Sequence, residues 1–143
     1  MKILVSACLL GENCRYDGGN NLIEKIKRLE EKHEIYPFCP EVEGGAPIPR
    51  IPCEIVNHRV VDKEGNDLTD LFMRGAESTL RLVQKERIEA AILKQRSPSC
   101  GYGKIYDGSF SGNIIIGNGI TADLLAKKGV KIFTEEDFQE EFL

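Results

Sequence analysis

Ile3-Leu4-Val5-Ser6-Ala7 is the stretch that decides the fold of this chain. It is a short apolar run without helical periodicity, which is typical of a strand covered on both faces of a sheet. The run leads into the loop-forming residues Gly11 to Gly19. Further along the chain, Glu34-Ile35-Tyr36-Pro37-Phe38 and Ala90-Ala91-Ile92-Leu93 predict two more strands.

Amphipathic segments lie between these strands. A first helix is predicted to begin at Asn20 or Asn21 and to run to about Glu31, because its apolar residues recur at helical spacing. The same periodicity predicts helices over 69–85 and 121–128, and a last strand over 130–133 precedes a short acidic tail helix. Extended residues within 55–61 and a turn over 62–67 predict a hairpin or an edge strand.

The alternation of strands and helices predicts an α/β fold. We expect a single domain over residues 1–143, with a mainly parallel, Rossmann-like sheet and helices on both faces. Right-handed crossovers place the loops that follow the strands along one edge of such a sheet. Because ligands of these sheets bind at the carboxyl ends of the strands, the functional site is predicted at that edge.

The charge of the chain is modest and evenly mixed. The formal net charge is −4, and Lys and Arg are interleaved with Asp and Glu, so there is no strong signal for nucleic-acid binding. The run before Cys8 is shorter than the ~15 residues of a secretory signal, and no stretch approaches the ~18 apolar residues of a membrane span. We therefore expect a cytoplasmic protein, not attached to a membrane, that acts on a small ligand.

Cysteines stand where the predicted sheet would gather them. Cys8 follows the first strand, Cys39 the second, and Cys100 lies in the loop after the third, so these thiols are predicted to converge. The odd total of five cysteines and a reducing cytoplasm disfavour disulfides. Such thiolates favour zinc or an iron–sulfur cluster, but the paired Cys-x-x-Cys spacing of structural zinc sites is absent. Three thiolates would leave one iron of a four-iron cluster open as a Lewis acid.

Further candidates lie close to these cysteines in the sequence. Cys14, in the first cysteine-bearing loop, is either a fourth ligand or a free thiol, and Cys53 is predicted to be a packing residue. Arg15, Tyr16 and Arg50 could orient a planar ligand, although the arginines could instead fasten their loops by salt bridges.

Three polar side chains could move protons beside the cysteines. Glu41 is two residues beyond Cys39, and Ser97 and Ser99 precede Cys100. A carboxyl or hydroxyl group next to a metal centre can act as an acid or a base. The alternative for Glu41 is a solvated loop charge, and for the serines a turn stabilised by Ser-Pro.

Three groups of motifs follow one another along the chain. They are Ser6-Ala7-Cys8-Leu9-Leu10-Gly11 with Cys14-Arg15-Tyr16-Asp17-Gly18, then Cys39-Pro40-Glu41 with Gly44-Gly45 and Pro49-Arg50, then Ser97-Pro98-Ser99-Cys100-Gly101. Together they resemble the thiouracil desulfidase (TudS) family, formerly a domain of unknown function. The resemblance implies a 4Fe-4S cluster bound by three cysteines, here matching Cys8, Cys39 and Cys100, with one iron open to substrate.

The resemblance also implies an enzyme that breaks a carbon–sulfur bond hydrolytically. It would convert a small thiolated pyrimidine, a base or nucleoside of the 2-thiouracil type, into uracil and hydrogen sulfide without net redox change. The family uses a glutamate and a serine, so we expect Glu41 as the base and Ser99, or otherwise Ser97, as a proton donor or substrate contact. Two alternatives stay open: a metal-free thiol or persulfide sulfurtransferase, and a cluster- or zinc-binding regulatory module.

Overall fold

Four parallel strands form the central sheet of the computed structural model, which describes residues 1–143. In chain order the elements are β1 (Lys2–Ser6), α1 (Glu24–Lys27), β2 (Glu34–Phe38), α2 (Pro40–Glu43), β3 (Cys53–Val56), β4 (Arg59–Asp62), α3 (Thr69–Glu86), β5 (Ala90–Leu93), β6 (Tyr102–Tyr106), β7 (Ile114–Asn118), α4 (Ile120–Lys127) and β8 (Lys131–Thr134). Short 3₁₀ helices span Ala7–Leu10, Arg28–Glu31 and Glu140–Phe142. The sheet order is β2-β1-β5-β8, and β3–β4 and β6–β7 are separate antiparallel hairpins.

The two faces of the sheet are covered by different helices. Ile3 and Val5 of β1 pack towards Ile26 of α1, together with Leu29 of the following 3₁₀ turn. Leu4 points to the opposite face, into a core that contains apolar residues of α3 and α4. This arrangement confirms the predicted α/β sheet with helices on both faces, and its near-continuous apolar strands follow from burial on both sides.

The first helix is shorter than the sequence predicts. Residues before Glu24 do not become helical, because the Asn21 and Ile23 amides donate to the carbonyl oxygens of Cys8 and Leu9. The Asn20 side chain also accepts the Leu22 amide, a local turn that competes with helix formation. The prediction that Asn20 or Asn21 caps the helix is therefore wrong, whereas the long helix from Thr69 is confirmed.

The two hairpins stand outside the parallel sheet. The hairpin predicted within 55–61 is present, and Asn57 and His58 form its turn with φ angles of 49° and 65°. The predicted turn over 62–67 follows it and is held by Asp62, which accepts the Glu64 and Asn66 amides. The β6–β7 hairpin has no predicted counterpart in the sequence. None of the helices combines the length and apolar character needed to cross a membrane.

A close contact between α2 and α3 fixes the position of the segment that follows Cys39. Gly75 of α3 faces α2 so closely that an added Cβ would lie 2.0 Å from the Pro40 carbonyl oxygen. Gly44 is similarly tight, because its added Cβ would lie 2.3 Å from the Leu71 oxygen. Only glycine permits this approach of two backbones.

Gly75→Ala should lower the free energy of unfolding by about 1–3 kcal/mol, because the new methyl group overpacks the α2–α3 contact. Alanine is intrinsically the better helix former, so helix propensity alone predicts the opposite sign. Urea denaturation measures the difference, with Glu77→Ala on the exposed side of the same helix as the control. A Gly75→Ala protein more stable than the parent would contradict the tight contact.

Candidate functional site

A cavity of about 530 Å³ lies at the carboxyl edge of the parallel sheet. The ends of β1, β2 and β5 contribute Ser6, Cys39 and Lys94 to its wall, and the two hairpins contribute Glu54 and Phe110. The chain passes from β1 outward to β2 and returns to β5 on the other side of β1. The cavity therefore lies where the strand order reverses, the place at which α/β sheets bind ligands.

Nearly all the residues singled out in the sequence line this cavity. They are Cys8, Cys14, Arg15, Tyr16, Cys39, Glu41, Arg50, Cys53, Ser97 and Cys100. The exception is Ser99, which is 1% exposed and whose hydroxyl group lies 2.7 Å from the Thr121 hydroxyl of α4. The structure thus brings the cysteines, Glu41 and Ser97 together and directs Ser99 away from them.

The thiols differ in how readily they lose a proton. Hydrogen bonding from Cys14 lowers the pKa of Cys8, and it lowers the pKa of Cys39 to about 7. The same hydrogen bonds raise the pKa of Cys14, so Cys14 retains the proton between its two neighbours. Burial raises the pKa of Cys100 and brings that of Cys53 to about 12. The three thiols nearest one another thus divide into two thiolate-prone groups and one donor.

The spacing of the donor atoms decides which kind of metal centre fits. No three His, Cys, Asp or Glu side chains lie close enough together to hold one metal ion. A tetrahedral zinc ion needs such a point of convergence, so the arrangement does not match a preformed zinc site. Cysteines that reach one cavity from separate segments of the chain fit a polynuclear iron–sulfur group, which cysteine thiolates hold from several sides.

Glu41 and Arg50 form a largely buried ion pair beside the thiols. The Arg50 Nε atom lies 3.3 Å from the Glu41 Oε1 atom, and the two side chains are 9% and 17% exposed. Arg50 is fixed from two further sides, since it donates to the Cys14 carbonyl oxygen at 2.8 Å and to the Pro47 carbonyl oxygen at 3.2 Å. Burial raises the pKa of Glu41, and Arg50 opposes part of that shift.

Ser97 has a hydroxyl oxygen that is held by the backbone. It accepts the Ser99 amide at 3.1 Å and the Cys100 amide at 3.0 Å. Both contacts use oxygen lone pairs, so the hydroxyl proton stays available for a group in the cavity. The turn therefore orients Ser97 and the Cys100 backbone as one unit.

The loop that carries Cys14 is fastened by arginines. Arg15 donates to the Asn21 side chain at 2.8 Å and pairs with Asp17 at 3.3 Å. The Tyr16 carbonyl oxygen accepts the Arg50 amide at 2.7 Å. Tyr16 itself is 43% exposed. Arg15 and Arg50 thus perform the loop-fastening role that the sequence left as an alternative, and both still line the cavity.

Comparison with known proteins gives the family. A profile of the 2-thiouracil desulfurase family matches residues 3–137. The chain belongs to this family. It is also 40% identical over 148 aligned positions to the uncharacterized protein YbbK of Bacillus subtilis (strain 168), covering 96% of this chain and 98% of that protein.

A solved structure carries the same fold. The [4Fe-4S]-dependent thiouracil desulfidase TudS superposes with a TM-score of 0.91 at 44% sequence identity, covering 96% of this chain and 92% of that one. The resemblance drawn from the cysteine motifs is confirmed by this neighbour and by the 2-thiouracil desulfurase profile.

Some residues of the cavity in this desulfurase family member were not predicted from the sequence. Lys94 follows β5 directly, pairs with Glu135 at 3.0 Å and lines the cavity. Ser6 accepts the Lys94 amide at 3.0 Å, and its hydrogen bond with the Cys100 thiol opposes part of the rise that burial causes in the pKa of that thiol. Glu54 is the one charged residue within Ile51–Val56, and that isolation was the available signal.

Proposed function

We propose that this protein is a 4Fe-4S-dependent desulfidase of the cytoplasm. It converts a thiolated pyrimidine, a base or nucleoside of the 2-thiouracil type, into the corresponding uracil and hydrogen sulfide. The observation that carries this proposal is the single cavity in which Cys8, Cys39 and Cys100 meet the buried carboxyl group of Glu41. Family membership over residues 3–137 supports the same reaction.

Cys8, Cys39 and Cys100 are the proposed ligands of the cluster. The pKa values of Cys8 and Cys39 are lowered, which favours the thiolate forms that bind iron. Cys14 lies within hydrogen-bonding reach of Cys8 and Cys39, and its thiol is the proposed donor to these two ligands rather than a fourth ligand. When bound, such a cluster supplies an iron that lacks a protein ligand and acts as a Lewis acid on the substrate sulfur.

Glu41 is the proposed base of the hydrolysis. Its carboxylate can take a proton from the water that attacks the ring carbon bearing sulfur. Arg50 holds Oε1 of this carboxylate in place, which leaves Oε2 for the water. The overall change replaces carbon–sulfur bonding by carbon–oxygen bonding, with both water protons ending on sulfide, so no electron donor is required.

Ser97, rather than Ser99, is the proposed proton donor or substrate contact. Its hydroxyl oxygen is occupied by two amides and its proton is free to point into the cavity, whereas Ser99 is bonded to Thr121. The choice between the two serines follows from this difference.

Ser97→Ala should lower the kcat of desulfuration by about 10²-fold, the size of effect expected for a positioned acid or base. Ser97→Thr, which keeps the hydroxyl group, should restore most of the rate. Ser99→Ala is the comparison variant: it should cost about 1 kcal/mol of unfolding free energy through the lost Thr121 bond but change kcat less than twofold. Steady-state sulfide assays and thermal unfolding separate the two serines, and equal rate losses would contradict the assignment.

The proposal is tested with protein reconstituted under anaerobic conditions and incubated with 2-thiouracil. Uracil and sulfide formed in equal amounts support it. A regulatory module would form neither product, and a metal-free thiol enzyme would release sulfide from iron-free protein.

A further inference from the structure

Glu54 is a buried carboxylate that joins the two hairpins above the cavity. It lies on β3, and its Oε1 atom accepts the Gly108 amide at 3.0 Å and the Phe110 amide at 3.1 Å. Phe110 has a φ angle of 55°, a left-handed conformation that non-glycine residues rarely adopt. One oxygen that accepts two backbone amides therefore holds the tip of the β6–β7 hairpin in a defined shape.

The same hairpin tip is packed closely against β3. An added Cβ at Gly108, whose φ angle is 92°, would lie 2.5 Å from Val56 Cγ2 and 2.8 Å from the Ile55 oxygen. Tyr106 and Phe110 place aromatic rings on the cavity wall from this hairpin. The position of these rings therefore depends on the contact that Glu54 makes.

The second carboxylate oxygen of Glu54 has no partner in the chain. Both hydrogen bonds are accepted by Oε1, and Glu54 takes part in no ion pair. The Oε2 atom is not sealed off from solvent. Glu54 is only 9% exposed, and it lines the cavity. A carboxylate oxygen in such a place is stabilised by a donor, so a ligand with an N–H group suits the position.

The chemistry of the proposed substrate supplies that donor. A thiolated pyrimidine carries ring N–H groups beside the carbon–sulfur bond and a flat ring that aromatic side chains can cover. We infer that Glu54 is a specificity-determining residue: Oε2 accepts a ring N–H of the thiolated pyrimidine, while Oε1 holds Phe110 against the base. This inference rests on the proposed function and adds a residue that recognises the base where the two hairpins line the cavity.

Glu54→Gln and Glu54→Ala separate the two contacts of the carboxylate. A glutamine oxygen can still accept the Gly108 and Phe110 amides, but its NH₂ group would then face the cavity as a donor. Glu54→Gln should raise the KM for 2-thiouracil about tenfold or more, as expected for a lost hydrogen bond to a charged group. Its cluster absorbance and its amide exchange at Gly108 and Phe110 should match the parent. Glu54→Ala should show the same loss and, in addition, fast exchange at both amides.

Methylated substrates test the contact itself. Parent enzyme should discriminate between 1-methyl- and 3-methyl-2-thiouracil, because one methyl group replaces the N–H that Oε2 accepts, and Glu54→Gln should lose most of that discrimination. A Glu54→Gln enzyme with parental KM and parental discrimination would overturn the inference while leaving desulfuration intact. A parent enzyme that releases no sulfide from any of the three compounds would instead overturn the proposed function, and this inference with it.

Discussion

Alanine at Cys8, Cys39 or Cys100 should each remove the iron–sulfur cluster and reduce desulfuration to background. These side chains line one cavity from three separate segments, so each is placed to hold the proposed cluster from a different side. Two remaining thiolates would leave two irons of the cluster without protein ligands. Anaerobic absorption spectra, iron content and sulfide release measure the effect on the purified variants.

Cys53→Ala and Cys14→Ala are the matched controls for these variants. Cys53 begins β3, outside the parallel sheet, and is not among the proposed ligands, so its substitution should preserve both cluster and activity. Cys14→Ala should keep the cluster but remove the S–H donor to Cys8 and Cys39. Loss of iron in Cys14→Ala together with iron retention in any one of the three ligand variants would show that a different set of cysteines binds the cluster.

Glu41→Gln should lower kcat by about 10²- to 10⁴-fold while the cluster remains bound. The amide has nearly the same shape, and its oxygen can still accept the Arg50 Nε–H that now meets Oε1 at 3.3 Å. It cannot take a proton from water, so the effect falls on the chemical step rather than on folding or cluster binding. Single-turnover uracil formation, with the absorbance of the cluster recorded on the same sample, measures it.

Glu43→Gln provides the comparison for this substitution. Glu43 lies on the same short helix but is exposed, so its change should leave kcat within about twofold, as for surface substitutions in general. A Glu41→Gln enzyme with near-parental kcat would remove Glu41 from the reaction and direct attention to other groups in the cavity.

The position of the cysteines could be predicted from the sequence because it depends on topology. Cys8 and Cys39 directly follow predicted strands, and parallel strands have their carboxyl ends at one edge whatever the details of packing. Cys100 lies further from the end of β5, but the loop that carries it begins at the same edge. The strand pattern and the order of the motifs were therefore sufficient to bring the cysteines to one edge of the sheet.

The choice between the serines could not be made from the sequence. Ser97 and Ser99 stand on one tight turn, and which side chain faces the cavity depends on the turn's backbone and on the Thr121 hydroxyl far along the chain. A local pattern does not contain such a contact between distant residues.

The β6–β7 hairpin, which contributes to the cavity wall, could not be predicted from the sequence either. Ile114, Ile115 and Ile116 of β7 are 46%, 47% and 94% exposed, so the strand lacks the alternation that identifies half-buried strands. The hairpin is held in position by hydrogen bonds from the Gly108 and Phe110 amides to the Glu54 carboxylate. These hydrogen bonds join residues more than fifty positions apart in the sequence. The first helix is also shorter than its periodicity predicts, because backbone hydrogen bonds to the carbonyl oxygens of Cys8 and Leu9 keep residues 21–23 out of the helix.

The central claim is tested most directly by anaerobic reconstitution followed by one combined measurement of iron, acid-labile sulfide and turnover on 2-thiouracil. We expect a brown protein with about four irons and four sulfides per chain, as a 4Fe-4S cluster requires. It should form uracil and hydrogen sulfide in equal amounts without added reductant. A colourless, iron-free protein that still converts 2-thiouracil into uracil and sulfide would contradict the account, because the reaction would then proceed without a cluster.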